Sequence, residues 1–262
     1  MLINTVLLFL QNALPIFIIT TLLLLRFPIK ALNTESIKWL VIGLLICIIS
    51  AFILSNTLEN LSQKVDGKGV ELFFAVGLLL IYVFSVCLFI FNETNDGSTV
   101  KRYLAFIILF VISCLNGAHF IVYLTSYWSQ AQQIESMLLG MVLGGGICVS
   151  IAILFYFLLK FADRNFYLNT SNYFLLFFAI GQLMHAIVLL QQVDLLSSSH
   201  PVWDSSSFIA ENSELGQLLT VLFGYETTPS TTQLITYAVA FIIPVIISNS
   251  KTMLLSLSGE QT

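Results

Sequence analysis

The residues with chemistry in reach are few, and they sit where polarity is expensive. Gln11, Asn12, Asn116, His119, Gln182 and His185 all fall inside long apolar stretches. Polar side chains at membrane depth usually face a bundle interior or a water-filled path. His119 is a candidate metal ligand or proton carrier, because imidazole titrates near neutral pH. His185, beside Met184, is a second. For both, the competing reading is a histidine hydrogen-bonded within a helix bundle. Asn12 and Asn116 suit either of two jobs: symmetric groups lining an ion path, or amides that tie helices together. A second set is acidic. The stretch 195–231 carries Asp204, Glu211, Glu214 and Glu226 and no Lys or Arg. An acidic mouth raises the local concentration of cations; the plainer reading is that translocated loops avoid basic residues. Asp204, after Trp203, suits a helix cap or a cation lure, with capping favoured. Glu71 reads as an interfacial charge.

Other chemistries lack their residues. No HExxH helix or GxSxG elbow is present, so an enzyme is not expected. Cys47, Cys87, Cys114 and Cys148 each lie in an apolar run and form no CxxC pair, which argues against disulfides and zinc.

The elements that hold these residues follow from composition. Of 262 residues, 58% are hydrophobic and 9% charged, against about 25% charged in soluble domains. A net charge of −4 with scattered basic residues makes nucleic acid an unsuitable partner. The lipid bilayer is the expected surrounding. A bilayer core needs roughly 20 apolar residues per helix, and seven stretches qualify: 3–26, 37–56, 70–91, 103–127, 137–159, 172–193 and 232–249. The first is expected as a retained span, because no basic n-region precedes it. With the N-terminus outside, eight basic residues fall on the cytoplasmic side and only Lys64 and Lys68 outside, which fits the positive-inside rule. Pro15 is expected to kink the first helix.

An internal repeat refines this. Asn12 and Asn116 lie 104 residues apart, as do Thr21 and Thr125. Phe73–Leu79 and Phe177–Leu183 share five of seven residues at the same separation. The fold class read from this is an all-α integral membrane protein with seven transmembrane helices: two inverted three-helix repeats plus a seventh helix. The boundaries are repeat one 1–95, repeat two 96–194, outer loop 195–231, seventh helix 232–249 and cytoplasmic tail 250–262, forming one transmembrane domain. An odd number of spans per repeat forces opposite insertion, and inverted-repeat transporters bind substrate at the repeat interface near mid-membrane. Asn12, nine residues into its span, is ~14 Å deep at 1.5 Å per residue. Within the loop, Ser213–Phe223 alternates as a short amphipathic helix would, lying on the bundle.

The loop reads Pro201-Val202-Trp203-Asp204-Ser205-Ser206, then Ser213-Glu214-Leu215-Gly216, Gly224-Tyr225 and Pro229. This order resembles the oxidase-dependent, high-affinity iron permease family, which carries a similar Trp-Asp-x-Ser…Leu-Gly…Gly-Tyr…Pro pattern before its last helix. The resemblance implies seven spans, an outside N-terminus, and a repeat whose first helices are one and four. Family members carry Arg-Glu-Gly-x-Glu in those two helices, with glutamates that bind ferric ion. Here the positions read Gln11-Asn12-Ala13-Leu14-Pro15 and Leu115-Asn116-Gly117-Ala118-His119. Neither arginine and none of the four glutamates remains; only Gly117 is kept. What carries over is position, at the seam between halves.

The expected function is a divergent iron-permease-like transporter in a plasma or bacterial inner membrane, moving iron or another metal cation inward along a path between helices one and four. No permanently bound cofactor is expected. The alternative is a non-transporting subunit on a permease scaffold that binds an oxidase or metal-delivery protein at the outer loop. A retinal receptor is excluded, since 232–249 has no lysine for a Schiff base.

Overall fold

The computed structural model describes residues 2–27, 34–62, 67–91, 98–128, 134–166, 169–197, 200–210 and 213–259. Among them are eight helices: α1 (Leu2–Arg26), α2 (Thr34–Ser62), α3 (Gly69–Ile90), α4 (Ser98–Trp128), α5 (Ile134–Phe166), α6 (Thr170–Gln192), α7 (Glu214–Phe223) and α8 (Thr231–Gly259). The only extended pairing among the described residues is an isolated antiparallel bridge between Pro201 and Ser230. Helices are what a bilayer demands, because each satisfies its own backbone where no water can.

Six helices are long and apolar enough to cross a membrane: α1, α3, α4, α5, α6 and α8. The expected span 37–56 falls on α2, whose described apolar stretch, Leu45–Leu58, is shorter; its side chains before Leu45 lie outside the described residues. The helix expected at 213–223 is α7. The tail expected from 250 instead continues α8 to Gly259. The repeat boundary at 95/96 lies outside the described residues.

Burial is inverted relative to a soluble protein. Val142, Leu154, Phe157 and Phe161 of α5 are exposed, and only 17% of that span's apolar window is buried, against 61% for α6. Such an apolar exterior is stable only against lipid, and α6 is the most enclosed span.

The chain divides into two compact units. The first comprises Met1–Gly77 with Leu109–Ser171. In it α1 packs along α5, and the contact is close because Gly144 has no side chain: a Cβ there would meet Phe9 Cβ at 3.0 Å. Gly117 of α4 likewise abuts Ala51 of α2, and Gly77 of α3 receives the Leu115 side chain. Small residues let helices approach where no hydrophobic force drives them together.

The second unit comprises Leu78–Ile108 with Asn172–Thr262. Its core gathers Phe89, Leu176, Ile180, Leu183, Met184, Ile187 and Ala240, and Phe177 stacks on Phe241 at 5.2 Å. Pro244 lies inside α8. It has no N–H to donate to Ala240, four residues earlier. The Tyr82 hydroxyl donates to that carbonyl instead, at 3.2 Å.

Tyr82→Phe should therefore strand a carbonyl in mid-membrane and cost about 1–3 kcal/mol. Pro244→Ala restores the missing donor, so the cost should largely vanish in that background. Thermal unfolding of the four proteins of this cycle in detergent checks it; equal costs in both backgrounds would refute the role given to the hydroxyl.

Candidate functional site

In the first unit, two contacts set the register of α1 against α4. Thr5 Oγ1 meets the Tyr123 hydroxyl at 3.1 Å. The Phe9 and Phe120 rings meet edge to face, 5.2 Å between centroids. The helices are therefore antiparallel neighbours. Asn12 lies seven residues beyond Thr5, and Asn116 seven before Tyr123. The same register brings the two asparagines to one level.

Their bonding is matched. Asn12 Nδ2 donates to Leu8 O at 2.8 Å, and Asn116 Nδ2 donates to Ile112 O at 2.9 Å. Each amide thus satisfies a donor within its own helix and is not spent on tying α1 to α4. The amide oxygens remain as acceptors. Both residues are half-buried, whereas Gln11 is exposed. His119 is one turn from Asn116 and exposed, with its ring 4.1 Å from that of Phe74. The structure thus brings Asn12, Asn116 and His119 together in one unit. Among the described residues, no three or more His, Cys, Asp or Glu gather into a metal-holding group. The side-chain oxygens of Asn12 and Asn116 belong to amides, which carry a dipole rather than a charge.

Gln182 and His185 belong to the second unit and share one face of α6, three residues apart. Gln182 is 7% exposed, and His185 is exposed.

The connection between α6 and α8 is ordered by hydrogen bonds that the sequence did not announce. Val202 N–H donates to Pro229 O at 3.0 Å and Ser205 N–H to Thr227 O at 2.9 Å. Ser205 Oγ lies 3.0 Å from Thr227 O and 2.9 Å from the Tyr225 hydroxyl, which also reaches Ile209 O at 3.1 Å. These bonds strap 202–205 along 225–229. Gln233, in the first turn of α8, accepts from Ser230 N–H and donates to a Glu226 carboxylate oxygen.

The acidic residues therefore divide. Glu226 is engaged by Gln233. Glu211 and the Glu214 side chain lie outside the described residues. Asp204 does not cap α7: that role belongs to Ser213, whose Oγ accepts from Gly216 N–H at 3.0 Å. The sequence favoured Asp204 because it precedes the helix, but nine residues separate it from Ser213. Asp204 instead closes its own turn, accepting Ser206 N–H at 2.9 Å.

At its other end α7 is capped by Gly224, with φ +67°; Gly224 N–H donates to Thr220 O and Tyr225 N–H to Leu219 O. Here α7 touches α6 backbone to backbone: a Cβ on Gly224 would lie 2.8 Å from Gly181 Cα. Phe223 packs its ring on Phe177 and Phe174, at 5.5 and 6.0 Å. The Gly181–Gly224 contact escaped the sequence reading; the available signal was a glycine in mid-span and another just past an amphipathic stretch. Two further buried oxygens, Ser85 Oγ and Gln217 Oε1, have no hydrogen-bond partner, nor has Glu71 Oε2.

The Ser206 hydroxyl and N–H hold the Asp204 carboxyl below the usual carboxylate range. A depressed folded-state pKa means the turn is supported above the unfolded value of ~3.9 and released as pH falls through the folded value. An NMR titration of the Asp204 carboxyl should give a midpoint below ~3.9 that rises in Ser206→Ala; a midpoint at or above the free value would refute the turn. Compared with known protein families, with curated proteins and with solved structures, the chain matches none.

Proposed function

We propose that the chain is a divergent iron-permease-like transporter, built from two inverted three-helix repeats and a seventh helix, that moves iron or another metal cation inward. In this reading α1 to α3 form one repeat and α4 to α6 the other, α2 completes the seven spans, and the N-terminus is outside.

One observation carries the reading. The repeat offset of 104 makes Asn12 and Asn116 equivalent, and the α1–α4 register brings those same two residues to one level. In an inverted repeat, a residue meets its own equivalent only at the pseudo-twofold axis. Three separate facts, one from sequence and two from contacts, thus converge on Asn12 and Asn116.

Two further features support it. α1 packs on α5 through Phe9 and Gly144, and α4 packs on α2 through Gly117 and Ala51. Each repeat's first helix therefore lies on the other's second helix, a reciprocal exchange that twofold symmetry requires. The asparagines also turn the same hydrogen bond back on their own helices, a matched arrangement that supports the reading. A cation passing there would exchange part of its water for their amide oxygens, with His119 one turn away.

Losing every motif glutamate keeps the second reading alive, a scaffold subunit that binds an oxidase or metal-delivery protein. Reconstitution separates the two. Purified protein in liposomes should take up ferrous or another divalent metal, and Asn12→Ala with Asn116→Ala should reduce uptake at least about tenfold, roughly 1.4 kcal/mol in the barrier. Because neither amide ties the helices together, the double variant should keep its unfolding temperature within a few degrees. No metal-dependent uptake by the parent protein, together with a stably co-purifying partner, would overturn transport.

A further inference from the structure

We propose that residues 214–229 form a re-entrant hairpin, with α7 descending from the outer face to mid-membrane and its return limb lining a water-filled vestibule in which Glu226 draws in a hydrated metal cation.

The depth comes from α6. Gly181 stands eleven residues from each end of Thr170–Gln192, so it marks the middle of that span. Gly224 touches it backbone to backbone. Phe223 reaches past the middle, to Phe177 and Phe174. The return limb ends at Ser230, whose Oγ accepts from Gln191 Nε2 at 3.4 Å, near the outer end of α6. From Gly181 to Gln191 is ~15 Å of helix. The five residues 225–229, bent at Thr227 and Thr228, cover at most about 16 Å. The ten residues of α7 span ~15 Å. Descending and returning limbs thus match in length, as a hairpin dipping half-way requires.

Water follows from satisfaction of the backbone. Non-helical chain at membrane depth survives only when buried in protein or facing an aqueous cavity. Gly224, Tyr225 and Glu226 are only half-buried, so their open side faces water. The carbonyls of Val221, Leu222 and Phe223 follow the last intrahelical bond and form the negative end of the helix dipole. With the Glu226 carboxylate on the adjoining limb, the lining suits a cation. The strap through Ser205 fixes the limb in place.

The cation's part rests on the transport reading; the hairpin and its water do not. In full-length protein with Cys47, Cys87, Cys114 and Cys148 changed to Ala, single cysteines would be probed from outside with a membrane-impermeant thiol reagent. Tyr225→Cys and Glu226→Cys should label within about tenfold of the exposed Ser206→Cys, and lipid-facing Ile235→Cys and Ile242→Cys at least about a hundredfold slower. A spin label at Phe223→Cys should report a depth near the bilayer centre. Labelling at 225 and 226 no faster than at 235, or a label at headgroup depth, overturns the hairpin. Glu226→Gln should cut metal uptake several-fold at low metal, Glu226→Asp should restore it, and Tyr225→Cys should label unchanged in either background. Expected labelling without uptake by any variant keeps the hairpin and sinks the transport reading. Uptake that Glu226→Gln leaves intact removes the carboxylate's role.

Discussion

Lipid offers a polar group nothing to bond to, and that constraint orders this molecule more than any single contact. Side-chain hydroxyls and amides along the spans bond to the preceding turn of their own helix: Asn12, Thr20, Thr21, Ser50, Asn116, Ser150 and Thr236 all do so. Where a proline removes a donor, another helix supplies one, as Tyr82 does for Ala240. Large apolar residues such as Val142, Leu154 and Phe157 cover the outside, and glycines admit neighbouring helices within. With no solvent to expel, packing precision at Gly77, Gly117 and Gly144 takes over the role that hydrophobic burial has in water.

The same constraint shapes what the seam can do. A carboxylate near the α1–α4 axis would be costly unless paired or hydrated; an amide carries no such cost. Exchanging the glutamates expected from the family resemblance for Asn12 and Asn116 removes the strongest cation ligand and the largest source of instability at once. Under the transport reading, what remains is a pair of oxygen dipoles that would hold a cation weakly. Weak holding lowers affinity, but it also lowers the barrier to release. A trivalent ion would lose far more hydration energy there than two amides return, so under the transport reading a lower-charged ion suits this seam better.

Much of this was legible in the sequence, for identifiable reasons. Span length and composition announce helices because membrane thickness is fixed, and six of the seven expected spans fall on helices apolar along their described length. The pairing of residue 12 with 116 was legible because a shared offset survives even where residue types drift. Long-range polar contacts were not. Nothing local marks Tyr82 as the partner of Ala240, since a lone tyrosine in an apolar run looks like any aromatic. The Ser205 strap involves backbone atoms, which every residue carries. Asp204 misled because capping side chains are interchangeable in type, and only geometry chose Ser213. His119 and His185 looked alike in sequence; they belong to different units, and His119 has an aromatic neighbour in Phe74.

Glycine carries the last step. Gly77 and Gly181 stand 104 residues apart within similar stretches, yet their neighbours differ in kind. Gly77 faces the flexible tip of Leu115, while Gly181 faces the backbone at Val221 and Gly224. A side chain can shift a few tenths of an ångström to admit a methyl group; a capped helix end cannot without moving the loop behind it. The first glycine therefore eases ordinary helix packing, and the second admits the capped end of α7. Under the inverted-repeat reading, such a one-sided element would make the two faces of the molecule inequivalent. Under the transport reading, that asymmetry would give the pathway a direction, with an entrance shaped by α7 and the residues that follow it.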